Sequence, residues 1–428
     1  MRFKTLAWFE FLWVLVPAGL LLGTMFASSA IPAASGYALG AHTAALGSWV
    51  LLLPLTSLCA CLVARRLVTG GFARERLVRR VGLHRVALHV VPIGVTTTLV
   101  VLVVVFLYST QQGVSGWLEP PLILATFLAS TAYAALGFAV GTYLNLLVAG
   151  PVALVVPYLV IAFPPAMSTL WLRHMFYVEN GCCDVSQTLS THALSACLLM
   201  SCAIILGAAG AAAVRFGRGP HPVATVVLTL GALAGSIGSA QGLGATATDA
   251  RGSGLKCEPA ASGIQLCLWP EHESTRAGAN KVLERVAMHA AAKQLALPSE
   301  LTERTSPVPV WPDSAINLVP AADPATQTFG LLQALAPTPT LACLQHVSAH
   351  RSSPGGPFYE SAQYIVGVWW ATQIGLKVDV AANGNPPDVT SILGRLPTLR
   401  PAGQIGVINR TVAQLVTCAP LTDLAALQ

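Results

Sequence analysis

Two histidines four residues apart, His346 and His350 in "HVSAH", form the pattern in this chain best suited to holding a metal, because on a helix they fall on one face. Glu360 offers a carboxylate as third ligand. The hydrolytic version of this arrangement needs a glutamate beside the first histidine as general base, and Val347 stands there. The three residues therefore offer zinc binding without hydrolysis, against the plainer alternative of two surface histidines near a loop. "WPEHE", with Glu271, His272 and Glu273, reads as the solvated approach to a helix whose N-terminus its acids favour. Neither GxxxxGK[ST] nor GxSxG occurs, so energy from ATP has to come from another subunit, and neither a cofactor nor an enzymatic activity is expected.

The densest charge lies elsewhere, in "RRLVTGGFARERLVRR" (65–80), with six arginines in a chain of which only 10% is charged. At 54% hydrophobic residues and a mean hydropathy of +0.65, the composition is that of an integral membrane protein. The two ends of the chain differ: residues 1–244 hold 12 Lys and Arg against 5 acids, and residues 245–428 hold 12 against 13. This predicts a transmembrane domain over 1–244 and an extracytoplasmic domain over 245–428.

About seven runs in the first part are long and apolar enough to cross a bilayer, which takes roughly 20 residues. The long apolar stretch from Pro121 to Leu170 is divided into two helices at "NLLVAGP", where Asn145, Gly150 and Pro151 mark a turn. With the N-terminus in the cytoplasm, Arg2, Lys4, Arg65, Arg66, Arg74, Arg76, Arg79, Arg80, Arg85, Arg215 and Arg218 fall inside and only Arg173 outside, as the distribution of cations across a plasma membrane requires. Seven crossings then place the C-terminal domain outside. Retention of the loop in the cytosol explains the opening arginines, and Leu67, Val68, Phe72, Leu77 and Val78 among them allow short amphipathic helices there. "LASTAYAALGFAVGTYLNLL" is rich in Ala, Gly, Ser and Thr, which predicts close helix packing or a dimer seam. Glu10, Asn145 and His89 are polar groups at or near spans. Glu10 and His89 lie close to basic ends, within reach of the interface.

Outside a cell disulfides form. Spacing suggests Cys257 with Cys267 and Cys343 with Cys418, although four cysteines allow three pairings. Cys182 and Cys183 are left without an assigned partner. Cys59, Cys61, Cys197 and Cys202 read as small apolar filler within spans. In the outer domain, residues 277–297, 358–377 and 404–419 have helical periodicity, and the proline-rich 305–326 reads as extended with a strand at its centre. The expected fold is an all-α polytopic membrane domain followed by a mostly helical α+β extracytoplasmic domain.

"AALGFAVGTYLNLLVAGPVALVVPYLVIAFPP" resembles the paired fourth and fifth helices of ABC exporter permeases, and "LWLRHMFYVENGCCDV" resembles an outer loop in actinobacterial membrane proteins of that kind. "CEPAASGIQLCLWPEHE" is similar to the start of the outer domain that follows in that group. The resemblance implies a dimerising permease, homo- or heterodimeric, driven by a separate ATPase subunit that pushes on the cytosolic loop after the second helix. In this sequence Arg74, Glu75, Arg76, Arg79 and Arg80 would make that contact. Six-helix permeases end inside the cell, and a seventh span departs from that pattern. The expected partners are the ATPase, a second permease subunit and membrane lipid, with no nucleic acid. Two alternatives remain: a membrane-anchored hydrolase or metal-binding protein, and a non-transporting sensor or anchor.

Overall fold

The computed structural model describes residues 11–34, 37–69, 83–111, 114, 119–176, 185–216, 222–244, 247–252, 254–260, 263–293, 295, 297–303, 315–316, 324–336, 359–378, 387–419 and 421–427. Two compact units emerge, Met1–Asp184 with Thr188–Asp249, and Val185–Gln187 with Ala250–Gln428.

The first unit is helical: α1 Leu12–Ala34, α2 Ala38–Leu46, α3 Trp49–Leu67, α4 Leu83–Gln111, α5 Pro120–Tyr143, α6 Leu146–Ala162, α7 Arg173–Phe176, α8 Thr191–Phe216 and α9 Pro222–Ala240. Among the described residues six segments are long and apolar enough to cross a membrane: Trp49–Leu67, Ala87–Thr110, Pro120–Tyr143, Leu146–Ala166, Thr191–Val214 and Val223–Ala240. That is one fewer than expected, since the apolar part of α1 that is described reaches only from Leu12 to Phe26.

Local chemistry sets the helix ends. Prolines at the first two positions of α5 remove N–H groups that no carbonyl of the helix would accept. The break between α5 and α6 falls at Leu144–Asn145, where the Asn145 side chain accepts a hydrogen bond from the Val148 N–H at 3.1 Å. The predicted turn is therefore there, but only Asn145 makes it. Gly150 and Pro151 lie inside α6, as does Pro157; helices of this apolar, spanning kind tolerate interior prolines because neighbouring groups and local adjustments take up the freed carbonyls.

Helix α5 is at the centre, packing on α3, α4, α6 and α8. Its small residues bring backbones together: a Cβ at Gly137 would lie 1.9 Å from the Ser57 carbonyl oxygen, and one at Gly141 would lie 2.3 Å from that of Cys61. Both pairs advance by one helical turn in the same sense, so α3 and α5 run parallel. By the same logic α1 runs parallel to α4, Gly19 meeting Val100 and Gly23 meeting Val104. The small-residue face of α5 is thus used within the chain, and that packing explains it. Of the apolar window of α5, 61% is buried, against 22% for α6 and 17% for α9.

The second unit holds strands β3 Lys256–Pro259, β4 Gln265–Leu268, β5 Glu300–Glu303 and β6 Ala315–Ile316 in that order across one sheet; β1 Gln187–Leu189 and β2 Thr248–Ala250 form a separate two-stranded sheet. Strands β3 and β4 are antiparallel; β4, β5 and β6 are parallel, so α10, Arg276–Lys293, is the crossover from β4 to β5. Helices α11 Pro324–Gln333, α12 Tyr359–Gln373, α13 Pro387–Arg395, α14 Pro401–Thr417 and α15 Thr422–Ala425 complete it. The core joins Leu266, Leu268 and Leu301 of the sheet to Val282, Leu283 and Val286 of α10, Ile365, Trp369 and Trp370 of α12, and Ile408 of α14. The three helices expected from periodicity correspond to α10, α12 and α14, and β6 lies at the centre of the stretch expected to be extended; α11 and α13 were not foreseen.

Cys257 and Cys267 stand opposite each other in the β3–β4 hairpin and form a disulfide. Closing a loop of this size contributes about 2.5–3 kcal/mol by constraining the unfolded chain. Reduction should lower the unfolding temperature of the second unit accordingly, and Cys257→Ser/Cys267→Ser should remove any further effect of reductant. Cys418 is also disulfide-bonded. Cys343, and with it the suggested Cys343–Cys418 pairing, lies outside the described residues, as do Cys182 and Cys183. Cys59, Cys61 and Cys197 are buried and free in helices of the first unit, with Cys202 half-buried.

Candidate functional site

A hydroxyl inside an apolar helix bundle ordinarily satisfies itself by donating to the carbonyl one turn back on its own helix. Thr43, Thr56, Thr97, Thr98, Thr142 and Ser201 do this at 2.7–3.1 Å. Against that background a second group stands apart. Ser57 of α3 and Ser130, Thr131 and Tyr133 of α5 bury a hydroxyl with no hydrogen-bond partner, and so does His42 Nδ1 of α2. Leaving such a group unpaired away from water costs about 1–3 kcal/mol, so a cluster of them calls for a functional explanation.

Helical geometry brings several of these together. Thr126, Ser130, Tyr133, Gly137 and Gly141 recur at three- and four-residue steps and share one face of α5, the face whose glycines meet α3, with the Tyr133 hydroxyl reaching toward Cys197 of α8. Thr131 turns toward α4, where a Cβ at Gly94 would lie 2.4 Å from its hydroxyl. Thr56 of α3 and Thr97 of α4 meet at 2.9 Å. At one end, every residue of α2 is buried, and His42 Nε2 lies 3.5 Å from the Thr126 hydroxyl, at the outer limit of a hydrogen bond. The result is a polar seam among α2, α3, α4 and α5. No described helix of the first unit carries an Asp or Glu within its bounds, so the seam offers hydrogen bonds and one imidazole but no negative charge. Such a lining suits an uncharged or anionic polar group.

Sequence reasoning missed His42. Its signal is a titratable residue in the small-residue run "ALGAHTAALG", a run too short to span a bilayer. Asn145, which was singled out, is a helix cap. His89 is half-buried on α4. Glu10, Arg74, Glu75, Arg76, Arg79 and Arg80 lie outside the described residues. So do His346 and His350, while Glu360 is the second residue of α12, with its side chain undescribed. Among the described residues one group of His, Cys, Asp or Glu comes within metal-binding distance, Cys257, Cys267 and Glu300, and its two sulfurs are already joined to each other.

"WPEHE" is not the solvated approach that its sequence suggests. His272 Nδ1 and a Glu303 carboxylate oxygen are hydrogen-bonded with both side chains essentially sealed, at 0% and 2% exposure. The other Glu303 oxygen accepts the Trp269 N–H. Glu271 pairs with Arg251 at 2.8 Å, and that guanidinium lies over the Trp269 ring. Arg276 donates to the carbonyls of Leu266 and Lys256 and to Glu273. The Arg276 hydrogen bond holds the Glu273 carboxyl below the usual carboxylate range, and the same bond raises the guanidinium. The physical reason is the parallel register: β5 ends beside β4 and carries Glu303 beneath the turn that leads into α10. This network ties the strand ends to the helix and gives the turn a structural role.

No protein-family model, no curated protein and no solved structure matches this chain.

Proposed function

We propose that the chain is a multi-pass plasma-membrane protein that serves as the permease-like subunit of an ABC-type exporter, with the polar seam among α2–α5 as the path of its cargo. The observation that carries this reading is the buried, unpaired hydroxyl and imidazole cluster in the centre of an otherwise apolar bundle. Polar groups at membrane depth are costly and are tolerated where a solute or water passes. The acid-free lining suits an amphipathic cargo with an uncharged or anionic head.

Sidedness follows from counting. Five candidate spans, in α4, α5, α6, α8 and α9, separate the arginine-rich 65–80 segment from the domain after α9, and an odd number puts the two on opposite faces. Cytosolic arginines then leave the second unit outside the cell, where the Cys257–Cys267 disulfide is stable. Helix α1 runs parallel to α4, in keeping with a seventh crossing and a cytoplasmic N-terminus. On this reading the ATPase docks on the cytosolic loop through Arg74, Glu75, Arg76, Arg79 and Arg80, and the outer domain receives or gates the cargo.

The test does not require knowledge of the cargo. The full chain is purified in mild detergent from the membranes in which it is natively made. A nucleotide-hydrolysing subunit should accompany it, and should be lost when Arg74, Arg76, Arg79 and Arg80 are replaced by Gln. Absence of any ATPase, or undiminished recovery with the four-Gln variant, would overturn the proposal.

A further inference from the structure

His42 has a property that the hydroxyls of the seam lack, since it can take up a charge near neutral pH. The Thr126 hydroxyl spends its proton on the Leu122 carbonyl at 2.8 Å and so faces His42 as an acceptor. This contact favours the imidazole tautomer with the proton on Nε2. Nδ1 is left with a bare lone pair, fully buried and facing no donor. Taking the seam as a solute path, we propose that His42 is the proton-binding site of the membrane half, and that protonation at Nδ1 opens the contact between α2 and α5 at the head of the seam.

The argument rests on what surrounds the ring. Helix α2 packs on α1 and α4 and reaches α5 through Thr126. Within its bounds α1 carries no titratable side chain. On α4, Tyr108 is buried with its hydroxyl unpartnered, and the other ionisable groups, His84, Arg85 and His89, sit in its first two turns. On α5 the ionisable groups are Tyr133 and Tyr143, on α3 they are Cys59, Cys61, Arg65 and Arg66, and Tyr37 precedes α2. None within these helices is a carboxylate; Glu119, the half-buried N-cap of α5, stands seven residues before Thr126. Among the described residues none pairs with His42 Nδ1, so an imidazolium buried here lacks an acceptor for its new N–H, and the protonated state is stable only once water reaches the ring. Helix α2 is short, nine residues, and five of them, Ala38, Gly40, Ala41, Ala44 and Ala45, each bury little apolar area, so Leu39 and Leu46 supply most of its apolar anchoring.

The test uses the full chain in lipid nanodiscs and reads backbone hydrogen exchange of peptides from α2 and the first half of α5. Rates corrected for intrinsic chemistry are compared at about pD 5 and about pD 8, on either side of the histidine range. Acid should accelerate exchange about tenfold or more in the wild type. His42→Gln keeps an amide that reaches Thr126 but does not titrate, and should stay at the slow rate at both pD values. Thr126→Val should keep the acid response. Equal corrected rates in the wild type, or an undiminished acid response in His42→Gln, would overturn the proposal. Should His42→Gln not reach the membrane, Ser130→Cys in the His42 background supplies the reading. Its labelling by a water-soluble maleimide, normalised to an exposed cysteine, should rise in acid, and a flat ratio counts against the idea. ATPase recovery depends on the arginine loop, so a failure here leaves the transport reading intact and can be told apart from its failure.

Discussion

Gly137→Ala is expected to cost the membrane unit about 3 kcal/mol or more. One methyl group would sit 1.9 Å from the Ser57 carbonyl oxygen, and that neighbour is backbone, which cannot rotate aside as a side chain does. α3 and α5 would have to part, loosening Gly141 against Cys61 one turn further on. In a unit of this size the loss corresponds to roughly 6–12 °C in unfolding temperature. Gly231→Ala on α9 is the matched control, since a Cβ there meets nothing within 4 Å; it should be neutral or slightly stabilising, because alanine favours helix more than glycine does. Equal melting temperatures for the two variants would refute the close packing of α3 on α5.

Glu303→Ala is expected to destabilise the second unit by about 3–5 kcal/mol, the usual consequence of removing one partner of a buried, hydrogen-bonded pair. The substitution strands two donors at once, His272 Nδ1–H and the Trp269 N–H, beneath a turn that the carboxylate holds in place. Unfolding followed by the fluorescence of the second unit's tryptophans should show an early transition, with trypsin cutting first near Arg276. His272→Leu/Glu303→Leu should recover part of the loss, since it leaves only the Trp269 N–H unpaired and fills the space with apolar volume. A Glu303→Ala protein as stable as the wild type would remove the network from its proposed structural role.

Helix positions were legible because each depends on a local pattern. The apolar runs of α3, α4, α5, α6, α8 and α9 fall within the range of lengths that cross a bilayer, and α10, α12 and α14 repeat their apolar residues at helical spacing. Opposed cysteines in one short hairpin, Cys257 and Cys267, are likewise a local matter. Which spans lie inside the bundle was not legible. The windows of α3, α5 and α9 share a hydropathy of 1.8, yet 61% of the α5 window is buried and only 17% of the α9 window. Lipid and a neighbouring helix are equally apolar solvents, so hydropathy cannot separate them.

By itself, then, the sequence determined that the first part of the chain is apolar helix of spanning length, that its arginines gather between two such helices, and that the rest is a differently charged α+β unit. The polar seam and the His272–Glu303 pair were decided only by tertiary structure. His42 meets Thr126 across 84 residues and His272 meets Glu303 across 31. Whether a hydroxyl, an imidazole or a carboxylate finds a partner depends on which helices and strands pack side by side, and that distance in space is not encoded in the spacing of residues along either segment.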